Sequence, residues 1–593
     1  MANTRKRIPY GLSDFETLRN DNCYYVDKTA YIRRLEEYNF ALFLRPRRFG
    51  KSLFVNMLKA YYDVNFANKF DSLFGDLAIG KEPTQLHNTY LMLSFNFSIV
   101  DSAPANVQES FNKVALESID KFIFRNSGNI PSETHKLVIE SGINCAEALA
   151  LLSSLVNRTS NKIYVVIDEY DNFANTLMTI DETAYQKILH ADGFVRLFYN
   201  VLKEATTDNS AAIDRIFITG VSPLCLSDVT SGFNIAANLS TDPRFNAMVG
   251  FTESEVRNML MYYAETDSIP PNAMESHLPL IKSYYDNYCF SEDSAESCEH
   301  LFNSDMTLYF VDKCIGRKGK TPKEMLDPNV KQDYNKIRMM VRYESKFGNK
   351  SKKMQTILNN GYILSQLNPE FQIRELADEK NLVSLLFYLG LLTYGKVKIE
   401  RNGITNETVG LVVANEAMRL QYCTYLSQAY GEALQWRTDN DTMDNLWVDW
   451  IYYGQWEPMI RYIASVMHDN DSVRDFGPEG ESFVKGFMLA HLCNGNGYAV
   501  RTEVEMGHGY SDIYLYPIVS DYPNALVLEL KYLKPSASDD EVKAITEKAK
   551  AQVAQYVADN RLRTEAEARG WTLTAAVAVF RGWKAETVLA VNS

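Results

Sequence analysis

The chain has 593 residues, which is enough for about three or four domains of ordinary size. Its 46% hydrophobic and 23% charged residues are typical of a soluble globular protein and exclude a disordered or fibrous one. The formal net charge of −14 excludes a general attraction to nucleic acid, so any site for DNA or RNA must be a local patch.

Cysteine usage and apolar segments indicate the compartment. The 8 cysteines are scattered and include no CxxC pair, so we expect reduced thiols in a cytoplasm, with neither a disulfide nor zinc. The start, MANTRKRIPYGL, is basic but has no apolar segment after it, which excludes a secretory signal. The longest apolar stretch, Leu382 to Tyr394, is too short to span a bilayer and predicts a core helix. We therefore expect no membrane partner.

The segment before residue 38 predicts two short elements. Tyr24 to Val26 is typical of a strand, and the chain from Thr29 onward is typical of a helix. The polar residues Asp27 and Lys28 are consistent with a helix start at which Thr29 is the N-cap.

The next stretch predicts a strand, a phosphate-binding turn and a helix. Phe40 to Leu44 is apolar enough for a buried strand. Behind the turn, apolar residues recur at helical spacing at Phe54, Met57, Leu58 and Tyr61.

The turn itself matches most of a Walker A motif. Gly50, Lys51 and Ser52 occupy its last three positions, where backbone amides at a helix start face phosphate oxygens. Lys51 would neutralise the β- and γ-phosphates, and the Ser52 hydroxyl would hold Mg²⁺. Arg45 stands where the motif has its first glycine, which argues against tight phosphate binding. A chance helix start is the alternative interpretation of three residues.

An acidic strand end follows about a hundred residues later. Leu91 to Ile99 predicts a strand and Val107 to Phe124 a helix, and the apolar run from Lys162 to Ile167 then ends in Asp168 and Glu169. Such carboxylates lie at the carboxyl edge of a parallel sheet, where these folds bind ligands. Asp168 would hold the Mg²⁺ shell and Glu169 would orient the attacking water. The alternative is a solvated acidic loop.

The remaining pattern up to residue 470 predicts a sheet followed by helices. Arg215 to Ile218 is a further strand, after which Thr219 could sense the γ-phosphate or satisfy a turn. Alternating strands and helices up to about residue 250 predict a parallel sheet with helices on both faces. Residues 381–422 then predict helix, hairpin and helix, a winged-helix pattern that we interpret as a lid or packing element rather than a DNA reader.

Glycine and proline at Gly477, Pro478 and Gly480 open the last unit, for which we predict the order αβββαβ. Its predicted elements are a helix from Glu481 to Leu492 with Phe483, Phe487 and Met488 inward, strands at Tyr498 to Met506, Ser511 to Tyr516 and Ala525 to Lys531, a turn at residues 507–510, a helix from Asp539 to Ala558 and a strand from Leu573 to Phe580.

This last unit carries a second candidate site. Glu529 and Lys531 are two apart on a strand and share a face, and Asp512 on the preceding strand can meet them. Carboxylate oxygens suit Mg²⁺ or Mn²⁺, and Glu481 on the preceding helix could complete the metal ligands. The metal would supply hydroxide, while Lys531 would orient water or offset charge. The alternative is a structural Glu-x-Lys pair on a strand.

The motifs together resemble a known family. YVDKT, RPRRFGKS, VIDEYD and FITGVSPL look like the AAA-ATPase-like family that is fused to PD-(D/E)XK nuclease domains in bacteria, especially Bacteroidetes. GYSD, LELK and AKAQVAQY resemble the nuclease domain of that family. The resemblance implies nucleotide roles for Arg47, Arg48, Gly50, Lys51, Ser52, Asp168 and Glu169, metal and catalytic roles for Glu481, Asp512, Glu529 and Lys531, and a supporting role for Gln552 and Tyr556. Arg45 also fits the basic turn of that family.

Three positions depart from the family pattern. Ser511 stands where the family often has arginine, which removes a possible phosphate contact. In YDNYCF, Asn287 stands where the family often has glycine and must take over its conformation. Cys289 stands where the family often has arginine, which removes a charge that could report on nucleotide.

We therefore predict an α/β protein with an AAA-ATPase-like P-loop domain (1–250), a helical lid and winged-helix-like region (251–470) and a restriction-endonuclease-like PD-(D/E)XK domain (471–593). The expected cofactors are ATP and Mg²⁺ or Mn²⁺, and the expected partner is DNA or RNA. The expected function is an ATPase that controls a metal-dependent nuclease, in defence against foreign DNA. One alternative is a nucleotide-switched scaffold or signalling protein with an inactive nuclease-like fold. Another is an ATPase without a nucleic-acid role.

Overall fold

The computed structural model describes most of the chain, in two compact units. The first unit comprises Met1–Glu275, Asp286–Asp312 and Leu364–Leu411, and the second comprises Ser276–Tyr285, Lys313–Ile363 and Val412–Ser593. The described residues are 5–189, 193–207, 211–224, 235–297, 299–322, 324–327, 356–357, 360–372, 375–376, 378–401, 404–424, 439–468, 480–493, 497–502, 504–506, 509–519, 521–557 and 560–591.

A parallel sheet forms the centre of the first unit. Its strands are β1 (Phe40–Leu44), β2 (Leu91–Asn96), β3 (Ile163–Asp168), β4 (Ile213–Gly220) and β5 (Ala237–Asn238), in the order β2-β3-β4-β1-β5. All six residues of β3 are buried. Because consecutive residues of a strand point to opposite faces, both faces of the sheet are covered there. The predicted parallel α/β architecture is confirmed.

Helices connect these strands, and those at Lys51–Tyr62 and Val107–Arg125 were predicted. The helices up to residue 316 are Phe15–Asn20, Tyr31–Leu35, Lys51–Tyr62, Phe70–Phe74, Ala78–Lys81, Val107–Arg125, Thr134–Val138, Cys145–Val156, Asn172–Ile180, Glu182–Leu189, Phe194–Glu204, Glu253–Thr266, Pro271–Glu275, Leu278–Tyr285, Glu292–Glu296 and Ser304–Gly316, with 3₁₀ turns at Val64–Lys69, Phe97–Ile99 and Pro243–Phe245.

Two predictions for the early part of the chain were wrong in detail. Tyr24 to Val26 forms no strand, and Ala30 rather than Thr29 precedes the helix at Tyr31–Leu35. The Thr29 hydroxyl instead donates to Asp27 Oδ1 at 2.6 Å and accepts from the backbone of Ile79. The segment makes an isolated bridge between Arg7 and Cys23 in place of a strand, with the Tyr24 N–H donating to the carbonyl of Arg7.

The strand predicted to run to Ile99 ends earlier, at Asn96. The Asn96 side chain accepts from the backbone N–H of Ser98 and opens the 3₁₀ turn Phe97–Ile99. A side chain that competes for backbone hydrogen bonds in this way stops a ladder.

The middle of the chain has the predicted order of helix, hairpin and helix. After β6 (Tyr362–Ile363), a helix at Glu379–Tyr388 leads into paired strands β7 (Leu392–Arg401) and β8 (Ile404–Val413), and residues 416–424 are helical. Further helices span Asn440–Tyr453 and Glu457–His468.

The single core helix predicted from Leu382 to Tyr394 was wrong, because the helix ends before Gly390. Gly390 has φ +79°, and a Cβ there would lie 2.7 Å from Pro46 Cγ. The position therefore needs glycine both for its left-handed backbone and for the close approach of Pro46.

The last part of the chain forms a second, mixed sheet behind the helix Gly480–Leu492. Its strands are β9 (Tyr498–Arg501), β12 (Ile513–Pro517), β13 (Asn524–Leu533), β14 (Thr572–Arg581) and β15 (Lys584–Ala590), in the order β15-β14-β13-β12-β9. Only β13 and β14 pair in parallel. The strands β10 (Val504–Met506) and β11 (Gly509–Ser511) pair separately.

The predicted αβββαβ order is present but incomplete. The long helix is confirmed at Asp539–Val557, while a second helix at Asn560–Arg569 and the edge strand β15 were missed. The strand predicted from Tyr498 to Met506 is split into β9 and β10, and Gly509 and Tyr510 belong to β11 instead of a turn. Strand β15 gave little sequence signal because most of its residues are partly exposed. The predicted opening at 476–479 and turn residues 507–508 lie outside the described residues.

Two expectations about the whole chain can be compared with the described residues. The six cysteines described there are all buried free thiols. In the same part of the chain, every helix is too short or too polar to cross a membrane.

Gly220, at the end of β4, provides a test of packing at the sheet edge. A Cβ on Gly220 would lie 2.4 Å from Asp171 Oδ1 and 2.5 Å from Tyr170 Cδ1. We expect Gly220→Ala to lower the free energy of unfolding by roughly 1–3 kcal/mol, as overpacking of a filled site does. Thermal unfolding of the full chain measures this. The matched control is Gly128→Ala, where a Cβ would meet nothing within 4 Å. Equal melting temperatures for the two variants would contradict the prediction.

Candidate functional sites

The first site is the loop between β1 and the helix Lys51–Tyr62. Gly50 is the N-cap of that helix with φ 94°, and Arg48 also has a left-handed backbone, with φ 67°. A pocket of about 300 Å³ opens over the loop and the helix start, and Gly50, Lys51 and Ser52 line it. The free amides of a helix start favour an anionic ligand, so the structure places these three predicted residues together at a suitable pocket.

Lys51 points back into the loop. Its Nζ donates to the carbonyl oxygens of Arg45 and Pro46, each at 3.0 Å, and the residue is only 5% exposed. Burial lowers the pKa of Lys51, while the carboxylates of Glu169, Asp168 and Asp171 oppose that shift. A buried ammonium held by two neutral carbonyls would gain from phosphate oxygens as acceptors.

The Arg45 side chain is buried and does not line the pocket. Its guanidinium donates to the carbonyls of Leu44 at 2.9 Å and Ser240 at 2.5 Å, and further to those of Phe245 and Asn246. It lies over the rings of Phe43 and Phe290, 4.2 Å from each centroid. Burial lowers the pKa of Arg45 to about 9.

The other two arginines of the loop bind protein groups. Arg47 donates to Asn172 Oδ1 at 2.8 Å, and Arg48 pairs with Asp305 Oδ2 at 2.8 Å. Asp305 lies in the first turn of the helix Ser304–Gly316, which sequence reasoning did not connect to the loop.

The acidic end of β3 lies beside Lys51. Asp168 is buried and accepts from the backbone N–H of Glu169 at 3.1 Å. Glu169 has φ 53°, and burial is the main cause that raises its pKa. A carboxyl group with a raised pKa and a special backbone conformation at a pocket wall suits proton transfer or water orientation.

Asp171 and Thr219 join strand ends. The Asp171 carboxylate accepts from the backbone N–H groups of Val221 and Ser222, which follow β4. The Thr219 hydroxyl donates to the carbonyl of Phe43 in β1 at 2.7 Å. The Thr219 hydroxyl therefore satisfies a backbone carbonyl. Its role as a γ-phosphate sensor stays a prediction.

The far wall of the pocket contains residues to which sequence reasoning gave no ligand role. Tyr24, Tyr25, Val26 and Lys28 line it. The Lys28 ammonium contacts both oxygens of Glu255 at 2.8 Å, and burial lowers the pKa of Lys28 against the effect of that carboxylate. Tyr25, Val26 and Lys28 belong to the YVDKT motif, which is the sequence pattern that points to this part of the pocket.

The second site lies on the sheet of the second unit. Ile513 pairs with Leu528, so Asp512 and Glu529 meet across β12 and β13. Lys531 Nζ contacts Glu529 Oε1 at 2.5 Å, and Asp512 Oδ2 accepts from the backbone N–H of Leu530 at 2.9 Å. The structure therefore brings together the three predicted residues Asp512, Glu529 and Lys531.

Glu529 is the most perturbed group of this site. Burial, and then the Asp512 carboxylate, raise the pKa of Glu529 to about 7, while the Lys531 ammonium lowers it. Glu529 is 1% exposed, and among the residues that the structure describes its buried Oε2 has no hydrogen-bond partner. A buried acceptor without a donor beside a second carboxylate fits a divalent cation.

Glu481 is less closely placed. It is exposed at the start of the helix Gly480–Leu492. Burial lowers the pKa of Lys531, but the carboxylates of Glu529, Asp512 and Glu481 outweigh it and shift that pKa upward. Within the residues the structure describes, no three His, Cys, Asp or Glu side chains are close enough to form a metal cluster. The role of Glu481 as a metal ligand stays a prediction.

Sequence reasoning missed Lys485, which completes the second site. It is 5% exposed, and its Nζ lies 3.5 Å from Asp512 Oδ1. Lys485 follows Glu481 by one helical turn on an otherwise apolar helix, which was the available signal.

Gln552 and Tyr556 contact each other on the helix Asp539–Val557, and their supporting role stays a prediction. Gln552 Nε2 donates to the hydroxyl of Tyr556, which is fully buried. Burial raises the pKa of Tyr556, and the nearby carboxylate of Glu529 adds to that shift.

Two of the departures from the family pattern, Asn287 and Ser511, have different outcomes. Asn287 has φ 75° and so takes the left-handed conformation expected at that position. Ser511 is fully buried, and its hydroxyl has no hydrogen-bond partner in the described part of the chain.

Comparison with known families identifies both regions. Residues 9–230 match the family described as "Predicted AAA-ATPase", and residues 479–588 match the PD-(D/E)XK nuclease superfamily. The chain joins an AAA-ATPase-like domain to a PD-(D/E)XK nuclease superfamily domain. The first site lies in the AAA-ATPase-like domain and the second in the nuclease superfamily domain. The finer domain boundaries at 250 and 470 stay predictions.

Individual relatives add little about function. An "uncharacterized protein in vnfD 5′ region" of Azotobacter chroococcum mcd 1 is 29% identical over 263 residues, which is 43% of this chain and 44% of that protein. The chain thus matches less than half the length of that relative.

Among solved structures, Aeropyrum pernix ORC2 is 13% identical with a TM-score of 0.32, covering 72% of this chain and 96% of that one. Aeropyrum pernix ORC1, solved in complex with DNA, is 14% identical with a TM-score of 0.26, covering 68% and 93%. TM-scores this low describe a loose overlap.

Glu529 gives a pH prediction. Because its folded pKa is raised from 4.5 to about 7, its contribution to stability is complete below pH 4.5 and is lost as the pH rises through 7. We expect Glu529→Gln, which cannot ionise, to stabilise the metal-free protein more at pH 8 than at pH 5. The measurement is the difference in melting temperature between variant and wild type in EDTA. The same difference at both pH values would show that Glu529 does not titrate in this way.

Proposed function

We propose that the AAA-ATPase-like domain binds and hydrolyses ATP and controls a metal-dependent nuclease domain that cleaves DNA or RNA. The observation that carries the proposal is the pair formed by the buried Glu529 and the half-buried Asp512, in which Glu529 Oε2 has no hydrogen-bond partner within the described part of the chain. Two adjacent carboxylates repel each other, and a divalent cation relieves that repulsion.

At the second site, Asp512 and Glu529 would hold Mg²⁺ or Mn²⁺. When bound, the ion supplies a Lewis acid and a source of hydroxide for phosphodiester hydrolysis. Lys531 keeps Glu529 Oε1 in place, and the backbone N–H of Leu530 does the same for Asp512 Oδ2. Lys485 and Lys531 add positive charge where a phosphate would approach, which favours the charged transition state.

At the first site, Lys51 and the amides after Gly50 would bind the phosphates of ATP. Ser52 and Asp168 would hold Mg²⁺, and Glu169 would orient the attacking water. The support is that Lys51 and Glu169 line one pocket and that the charges of Asp168 and Glu169 act on the pKa of Lys51. Arg47 and Arg48 would add positive charge to the phosphate site.

One observation favours a second candidate function. Both carboxylates of the second site are already paired with lysines, Glu529 with Lys531 and Asp512 with Lys485. These two lysines balance the negative charges of the site without a metal ion. The second candidate is therefore a nucleotide-switched scaffold that binds a partner through an inactive nuclease-like fold.

Lys51 tests the nucleotide site. We expect Lys51→Ala to abolish ATP binding, because it removes the buried ammonium that would meet the phosphates. Isothermal titration of the full chain with Mg·ATP measures the affinity. The control is Lys59→Ala, a lysine on the same helix whose Nζ contacts Asn56 outside the pocket. Wild-type affinity in Lys51→Ala would refute the site.

The nuclease site is tested by cleavage of plasmid and single-stranded DNA and RNA with Mg²⁺ or Mn²⁺. We expect Asp512→Asn, Glu529→Gln and Lys531→Met each to lower the rate by about a hundredfold or more. The control is Glu547→Gln, an exposed residue that pairs with Lys550. Metal-independent cleavage would refute the metal site, and no cleavage by the wild type under all conditions would favour the scaffold.

Control by ATP is tested separately. The same assay compares the wild type with ATP, the wild type without ATP and Lys51→Ala with ATP. Equal cleavage rates in all three would leave the nuclease in place and refute its control by nucleotide.

A further inference from the structure

An ion pair inside the nucleotide pocket has no assigned role. Arg48 Nη1 contacts Asp305 Oδ2 at 2.8 Å, with the two side chains 26% and 17% exposed. Both residues line the pocket that also contains Gly50, Lys51 and Ser52. A carboxylate therefore lies beside the amides and ammonium that would bind phosphate.

Asp305 is held close to the loop by contacts that do not depend on its carboxylate. Its backbone N–H and the Ser304 hydroxyl both donate to the carbonyl of Arg48, each at 3.2 Å. A Cβ on Gly50 would lie 3.6 Å from the same hydroxyl. The start of the helix Ser304–Gly316 is thus fixed against the phosphate loop whichever partner the Arg48 side chain takes.

The backbone of Arg48 also indicates a fixed position. Its φ of 67° is rarely adopted by a residue with a side chain, and such a conformation persists only where surrounding contacts hold it. The contacts to Ser304 and Asp305 supply that support. The guanidinium is therefore presented at the pocket by a constrained segment.

We infer that Asp305 sets the nucleotide affinity of this site by occupying Arg48 and repelling phosphate, so that a bound nucleoside triphosphate exchanges with Asp305 for Arg48. The inference rests on the proposed ATP site. A carboxylate near the phosphates opposes their negative charge, and the Arg48 guanidinium forms stronger bidentate contacts with phosphate than with one carboxylate oxygen. Asp305 thus keeps the affinity lower than the loop alone would give.

The exchange predicts that removing the charge of Asp305 tightens binding. We expect Asp305→Asn to bind Mg·ATP roughly five- to tenfold more tightly than wild type, as loss of one nearby like charge implies. The gain should be smaller for Mg·ADP, which carries less negative charge. Asp305→Glu keeps the charge and should stay near wild-type affinity. Isothermal titration of the full-length variants with both nucleotides measures these values.

The control separates this role from a purely structural one. Asp267 forms a comparable ion pair with Arg5, at 2.8 Å, but does not line the pocket. Asp267→Asn should leave both affinities unchanged. If Asp305 only fastened its helix, Asp305→Asn would lower the melting temperature and bind ATP equally or more weakly, and that result would overturn the inference.

Two further outcomes are distinguishable. If Asp305→Asn does not fold, Asp305→Ser, which suits a first helical turn, replaces it, and unchanged or weaker ATP binding by that variant overturns the inference. A wild-type protein that binds neither nucleotide refutes the ATP site itself. A wild type that binds ATP with the affinity of Asp305→Asn refutes only the exchange.

Discussion

The buried guanidinium of Arg45 is the contact on which the phosphate loop depends. It donates to the carbonyl of Leu44 at the end of β1, to that of Ser240 after β5 and to those of Phe245 and Asn246. It also lies over the rings of Phe43 and Phe290. Its loss would remove donors from several buried carbonyls, and each carbonyl left without another donor would cost about 1–3 kcal/mol. The loop that presents Gly50 and Lys51 is therefore supported from inside the protein, by a residue that does not line the pocket.

Both candidate sites are built from buried and half-buried charges of opposite sign. In the first, Lys51 lies among the carboxylates of Asp168, Glu169 and Asp171. In the second, Lys485 and Lys531 face Asp512 and Glu529. Charged groups are buried at acceptable cost only when they are paired. A ligand that carries charge can replace one member of such a pair, which makes each arrangement suited to binding by exchange.

Several residues of these sites could not be predicted from the chain alone. Lys485 and Lys28 have weak sequence signals, the spacing from Glu481 and the YVDKT motif, and they matter because folding brings them beside Asp512 and Glu255. Asp305 lies 257 positions from Arg48, so that no local pattern joins them. The wrong predictions have a related cause. Side-chain bonds from Thr29 and Asn96, and the approach of Pro46 to Gly390, override local strand and helix preferences.

The sequence by itself determined the parallel sheet, the loop at Gly50–Ser52, the acidic end of β3 and the meeting of Asp512, Glu529 and Lys531. These features depend on periodicity and on short motifs, in which the chemistry is contiguous or lies on paired strands. Only the tertiary structure decided that Arg45 is structural, that Arg48 pairs with Asp305 and that Glu529 has a raised pKa. These properties depend on burial and on partners distant in sequence, because desolvation and charge interactions are set by three-dimensional distance.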